Sequence, residues 1–330
     1  MKLIANFHHT PGIHCGTTAM RDLLCYIGID VSEAMCLGLG SGLGFAYLRD
    51  PQGIPPSHIF YGRTINLEHD LCAHLALDFE EGTNDDPDQA WQISKSWVDR
   101  DIPVLLHVEL SGLPYYNTRT RFPGHRVVLV GYDDARQTAF LADTHFPDLQ
   151  TIAYDALRAA RATRLPPIPL HNEWLIIKPS QPAPIADAII RALRDNALEM
   201  VMDRAPHQGV MGMETLAEDF GNWEKFADWE FCVRFGYQNI DVRGTGGGFF
   251  RKMYARFLHE AELQSKIVRA GEFAKQMDAL ADEWSRFGLV LKQIADEKKT
   301  ALFAEASNSI RHLAKREENF WGQVLDAAGR

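Results

Sequence analysis

The chain has 330 residues, more than one ordinary core needs, so two domains are expected. Hydrophobic residues make up 46% and charged residues 24%, a globular balance rather than a disordered or fibrous one. The formal net charge of −10 argues against nucleic-acid binding, which needs clustered Lys and Arg, and no run approaches the ~20 apolar residues that span a bilayer.

The N-terminal run MKLIANFHHTPGIHC breaks its apolar start at Asn6, His8 and His9 and lacks a signal-peptide core, so a cytoplasmic protein is expected. Next, Ala19, Met20, Leu23, Leu24 and Ile27 fall at helical spacing with Gly28 as the stop, which sets Cys15 at a helix N-terminus. Residues 67–77 and the segment DPDQAWQISKSWVDRD read as two further helices, the second opened by Asp-Pro. The period then changes: IPVLLHVEL, HRVVLVGYD, TAFLADT and NEWLIIK read as strands between Gly, Pro or Asp turns. A basic helix over 154–164 leads into the Pro-rich LPPIPL, and PSQPAP follows the last strand as the best domain boundary. From Ile185 onward, DAIIRALRDNALEMVMDR and the segments after it read as a helical bundle. The expected fold is α+β: a domain over 1–180 with an antiparallel sheet, then an all-α domain over 181–330.

Five cysteines, at 15, 25, 36, 72 and 232, contain no CxxC pair and read as free thiols. A thiol is a nucleophile only as thiolate, and the N–H groups at a helix start favour that charge, so Cys15 has the right place. Catalysis also needs an imidazole to move the proton and a third group to orient it. His125 opens one strand and Asp143 ends the next; an antiparallel pair joined by a turn at 133–137 brings them together. The other four cysteines read as core residues. His8, His9, His14 and Cys15 cluster, but their spacing fits no standard zinc arrangement, so no metal is expected. GLGSGLGFAY, over 38–47, does not fit a dinucleotide loop. GTGGG, over 244–248, precedes a helix and reads equally as an anion site or as a tight interhelical turn.

The runs HCGTTAMRDLLCYIGIDVSEAMCLGLGSGLGFAYL, PVLLHVELSGLPYY, PGHRVVLVGYDD and FLADT resemble the N-terminal domain of the butirosin biosynthesis protein H family. GTGGGFFRKMYARFLHEA is similar to the helical domain that commonly follows it. The resemblance implies a papain-like cysteine peptidase or acyltransferase fold with Cys15 as nucleophile, His125 as imidazole and Asp143 as orienting carboxylate. It also implies acyl transfer in natural-product biosynthesis, from an acyl carrier protein or other acyl thioester to a small-molecule amine. Where papain-like enzymes place a Gln before the nucleophile, this chain has Asn6, His8 and His9, so His9 or the Cys15 backbone N–H is the candidate oxyanion donor. A thioester is already activated, so no cofactor is expected. Arg251, Tyr254 and Leu258 share a helix face, and Arg251 and Tyr254 are candidates for the acceptor side of the site, near 38–47. Two other readings stand beside transfer: a peptidase or amidohydrolase with the same triad, and a non-catalytic binding protein on the same fold.

Overall fold

The computed structural model describes residues 1–49, 55–164, 168–202 and 205–329. Residues 165–167 of the first Pro-rich stretch, and Asp203 and Arg204 at the end of DAIIRALRDNALEMVMDR, lie outside the described residues. In chain order the first half forms β1 Lys2–Leu3, α1 Cys15–Tyr26, α2 Glu33–Leu39, β2 Leu43–Arg49, β3 His58–Arg63, α3 Leu67–His74, β4 Phe79–Gly82, α4 Pro87–Asp99, β5 Val104–Val108, β6 His125–Asp133, β7 Thr138–Ala142, β8 Gln150–Ala153, α5 Tyr154–Arg161 and β9 Trp174–Ile177. Helices follow: α6 Ile185–Val201, α7 Gly209–Asp219, α8 Trp229–Asp241, α9 Arg251–Ala261, α10 Lys266–Ala270, α11 Phe273–Glu297 and α12 Phe303–Ala328. The protein is α+β, and among the described residues no helix is long and apolar enough to cross a membrane.

Two compact units form, residues 1–36 with 76–182 and residues 37–75 with 183–330. The first is built on an antiparallel sheet in the order β4-β9-β5-β6-β7-β8, with β1 also paired to β6. All four strands expected from their apolar runs are present. β6 is buried along its whole length, as a central strand should be. Val104, Leu106, Val127, Leu129, Leu141 and Ile152 alternate onto one face of the sheet and pack with Val98 of α4 and Leu157 and Ala160 of α5. α4 starts as its sequence demands, with Asp86 accepting from the N–H groups of Asp88 and Gln89 and Pro87 in the first turn.

The second unit is where the structure departs from a division at residue 180. Residues 37–75 fold with the helices, and β2 and β3 form an antiparallel hairpin that the local sequence pattern does not mark. The reason is apolar: Phe45 and Phe60 are buried and meet Phe249, and Phe45 also meets Trp284. Asn196 of α6 bonds both the N–H and the C=O of Leu43, which closes the strand's polar groups. Gly38 has no room for a side chain, because a Cβ there would lie 2.1 Å from the Phe257 ring. The 38–47 run is therefore a close-packing segment leading into a strand. GTGGG is an interhelical turn between α8 and α9, with positive φ at Gly244, Gly246, Gly247 and Gly248. Its Gly248 N–H donates to Asp241 and its Gly247 N–H to Thr245, so the chain's own oxygens occupy these donors.

Arg251 and Tyr254 lie in the core of this unit, each 0% exposed. Arg251 donates to Glu317 at 2.8 Å and to the carbonyls of Gly44 and Phe249, and its guanidinium lies over Trp284. The helix face does meet the 38–47 segment, but that segment belongs to the same unit, and both side chains are enclosed rather than offered to a ligand. Glu317 completes its shell with the indole N–H groups of Trp284 and Trp321. Removing one partner of a buried pair leaves an uncompensated charge, so Glu317→Ala is expected to destabilise the unit by about 3–5 kcal/mol. The paired change Arg251→Met with Glu317→Leu removes the stranded charge and should cost less, although it leaves the Trp284 and Trp321 indole N–H groups without their acceptor, as read by urea unfolding followed through tryptophan fluorescence. Equal costs would mean that the stranded charge is not the dominant effect.

Candidate active site

Cys15 opens α1, 9% exposed, at a helix start built by its neighbours. His14 is the N-cap, with an extended backbone and an imidazole that accepts from the Thr17 N–H. The Glu33 carboxylate accepts from the N–H groups of Ile13 and His14 and from the hydroxyls of Thr17 and Thr18. Ala19, Met20, Leu23 and Leu24 are buried, and the helix packs against β6. The Cys15 thiol reaches the carbonyl of Gly124, the residue before His125, at 3.9 Å.

Register sets the other two residues. β6 pairs with β7 at Val128 and Ala142, which brings Asp143, just past the end of β7, to the same face as His125 at the start of β6. The His125 Nε2 lies 2.9 and 3.0 Å from the two Asp143 oxygens. His125 is also a hydrogen-bonding neighbour of Cys15, and with Nε2 on the carboxylate its Nδ1 is the nitrogen left to face the thiol. Burial alone pulls the imidazolium down, but Asp143, and after it Cys15, outweigh burial and lift His125 to about 10. Burial pushes the Asp143 carboxyl up, yet His125, Tyr115 and Tyr116 more than reverse this and hold it below its ordinary value. The arrangement is an ionised carboxylate, a protonated imidazole and a thiol in line, able to keep a thiolate and deliver a proton.

Two participants carry no mark in the sequence. Tyr115 and Tyr116, in a 3-10 turn at Pro114–Tyr116, donate their hydroxyls to Asp143 Oδ2 and Oδ1 at 2.8 and 2.9 Å. Tyr116 also stands edge-on to the His125 ring. Burial first, and then the Asp143 charge, raises both phenols, which therefore stay protonated donors. PYY has no periodicity that singles it out, because its role depends on a partner 27 and 28 residues away.

His9 is near Asp143, but its ring is committed. Nδ1 lies 2.5 Å from Asp22, and Nε2 lies 2.9 Å from the Phe146 carbonyl. An oxyanion therefore finds no donor on this ring without breaking one of those bonds. The histidine cluster also divides by task, with His9 on Asp22 and His14 capping α1. Among the described residues no group of three or more His, Cys, Asp or Glu could hold a metal ion.

The two charged partners fix a pH dependence. His125 stands near 10 when folded against an ordinary 6.5, so its contribution to stability is complete below pH 6.5 and is lost as pH rises through about 10. Asp143 stands below its ordinary 3.8, so its contribution is present above that value and is lost as pH falls through its lowered one. The stability difference between the wild type and Asp143→Asn should then be largest between about pH 4 and 6.5, shrink as pH rises from there towards about 10, and shrink again as pH falls below about 3.8, as checked by denaturant unfolding across pH.

The model of butirosin biosynthesis protein H, N-terminal, matches residues 14–144, a span that holds Cys15, His125, Asp143 and both tyrosines. A domain of unknown function, DUF4872, matches residues 155–324, more than half of the chain. No curated protein matches it. The first family's name refers to biosynthesis and suggests a biosynthetic enzyme. The chain belongs to the DUF4872 family, and its N-terminal part is a butirosin biosynthesis protein H-like domain.

Proposed function

We propose that the chain is a cysteine-dependent acyltransferase. The observation that carries the reading is the buried His125–Asp143 pair set against a thiol at the start of a helix. Such a constellation suits acyl transfer through a covalent intermediate. Cys15 thiolate attacks the carbonyl of an acyl thioester, the C–S bond to the donor breaks, and the His125 imidazolium protonates the departing thiolate. An amine then attacks the acyl-Cys15, its proton passes to His125, and the product amide leaves as Cys15 regains its charge. Asp143 keeps the imidazole in one tautomer and orientation throughout, while the start of α1, with the Cys15 N–H, faces the oxyanion of each tetrahedral intermediate. The thioester supplies the activation, so neither ATP nor a metal enters the scheme.

The donor in this reading is an acyl carrier protein or another acyl thioester, the acceptor a small-molecule amine, and the setting cytoplasmic natural-product biosynthesis. The biosynthetic name of the matched family favours an amine over water as the acceptor.

Intact mass measured after incubation with a panel of acyl thioesters tests the proposal. The wild type is expected to gain one acyl group on Cys15 and to lose it, with amide formed, when an amine is added. Cys15→Ala should gain none, while His125→Ala slows acylation by about 10³-fold or more and Asp143→Ala by less. Release of free acid at a rate no amine changes would make the protein a hydrolase. Turnover by Cys15→Ala at the wild-type rate would end the cysteine mechanism.

A further inference from the structure

His9 has both ring nitrogens engaged and a side chain only 4% exposed, yet it touches none of the reacting groups of the triad. Its two partners belong to the two parts that the triad must bring together. Asp22 lies in α1, the helix that begins with Cys15. Phe146 closes the turn that begins at Asp143, where the Phe146 N–H donates to the Asp143 carbonyl at 3.0 Å. A second bond works in parallel: the Gly12 N–H donates to the Thr144 carbonyl at 2.8 Å. The strip from His9 to Gly12, which leads to Cys15, is thus fastened along the turn that carries Asp143.

We infer that His9 is a positioning residue whose ring ties the Asp143 turn to the Cys15 helix and thereby holds the carboxylate against His125. The inference rests on the reading of Cys15, His125 and Asp143 as one site. Its first support is geometric, since a neutral imidazole carries one N–H and His9 faces two acceptors, a carboxylate and a carbonyl. Burial pulls the His9 imidazolium down, but Asp22 and the carbonyls of Phe146 and Asp143 more than offset it and hold the ring above its ordinary value. The charge around it is balanced: Arg21 donates to the other Asp22 oxygen and to the Thr10 carbonyl, and lies 3.9 Å from Glu33. Asp22 is in turn buried, so His9 and Arg21 neutralise a carboxylate that the fold could not hold alone.

The test reads the thiolate rather than turnover. Iodoacetamide alkylation of Cys15, located by peptide mapping, is followed from about pH 5 to 9.5 in the wild type, His9→Leu, Asp143→Asn and the double variant. A slack Asp143 stabilises the His125 imidazolium less, and the thiolate with it. His9→Leu is therefore expected to hold about a tenth of the wild-type thiolate near pH 6 and to alkylate about tenfold more slowly there, but at a similar rate near pH 9.5. Because His9 acts through Asp143, adding His9→Leu to Asp143→Asn should slow alkylation no further. His9→Gln, which keeps a donor for the Phe146 carbonyl, should fall between the wild type and His9→Leu. A wild-type rate near pH 6, or losses that multiply in the double variant, overturns the inference. Should His9→Leu fail to fold, His9→Gln in both backgrounds decides by the same two outcomes. Alkylation needs no acyl donor, so the expected profile in a chain that accepts no acyl group refutes acyl transfer alone. Thioester acylation of Cys15 with an unaltered His9→Leu profile refutes the positioning role alone.

Discussion

A protonated imidazole can stay buried only beside a carboxylate that is buried with it, and the contact between His125 and Asp143 meets that condition. Each would be expensive alone. Together they form a charged unit at the end of a sheet with one apolar face, and the surrounding structure is arranged to keep them matched. Two tyrosine hydroxyls fill the remaining lone pairs of the carboxylate, and His9 and Gly12 hold the turn beyond it. A half-satisfied network of this kind would be worse than an apolar core, which is why so many donors converge on one side chain.

The fold sets that pair beside a thiol from a distant part of the chain. Cys15 comes from a helix near the N-terminus, while His125 and Asp143 come from two strands that a short turn joins. A one-residue slip between β6 and β7 would turn one of the pair to the opposite face, so the register at Val128 and Ala142 is as much a part of the site as the side chains. That register is held by burial: β6 is covered along its length, and its neighbours alternate into the same core.

What can be read in the sequence is what local chemistry encodes. The apolar spacing after Cys15, the Asp-Pro start of α4 and the runs that become β5, β6, β7 and β9 all depend on neighbours a few residues away, and all four strands form where they are expected. The pairing of His125 with Asp143 is also legible, since strands joined by a tight turn have few alternatives. By contrast, the hairpin of β2 and β3 is hidden, because its buried Phe45 and Phe60 find their partners about 200 residues later, at Phe249 and Trp284. His9 suggests an oxyanion donor by its place before the nucleophile, but Asp22 and Phe146 claim its ring, and neither partner is marked by spacing. Arg251 and Tyr254 illustrate a general ambiguity. An Arg and a Tyr on one helix face read as a polar surface until a buried acid such as Glu317 is known to lie opposite.

The helix start shows how a correct local rule can be redirected by tertiary structure. N–H groups at a helix N-terminus favour an anion, and a thiolate at Cys15 is well placed to use them. Glu33 sits at the same end, however, taking the N–H groups of Ile13 and His14 just before the helix and the hydroxyls of Thr17 and Thr18, while the Thr17 N–H goes to His14. A second negative group at one helix end works against the first, so Glu33 weakens the contribution the helix could make to a thiolate. Its gain is structural: four donors on one carboxylate fix the loop that precedes Cys15. The stabilisation of a thiolate must then come mainly from the His125 imidazolium, which leads back to the pair formed with Asp143.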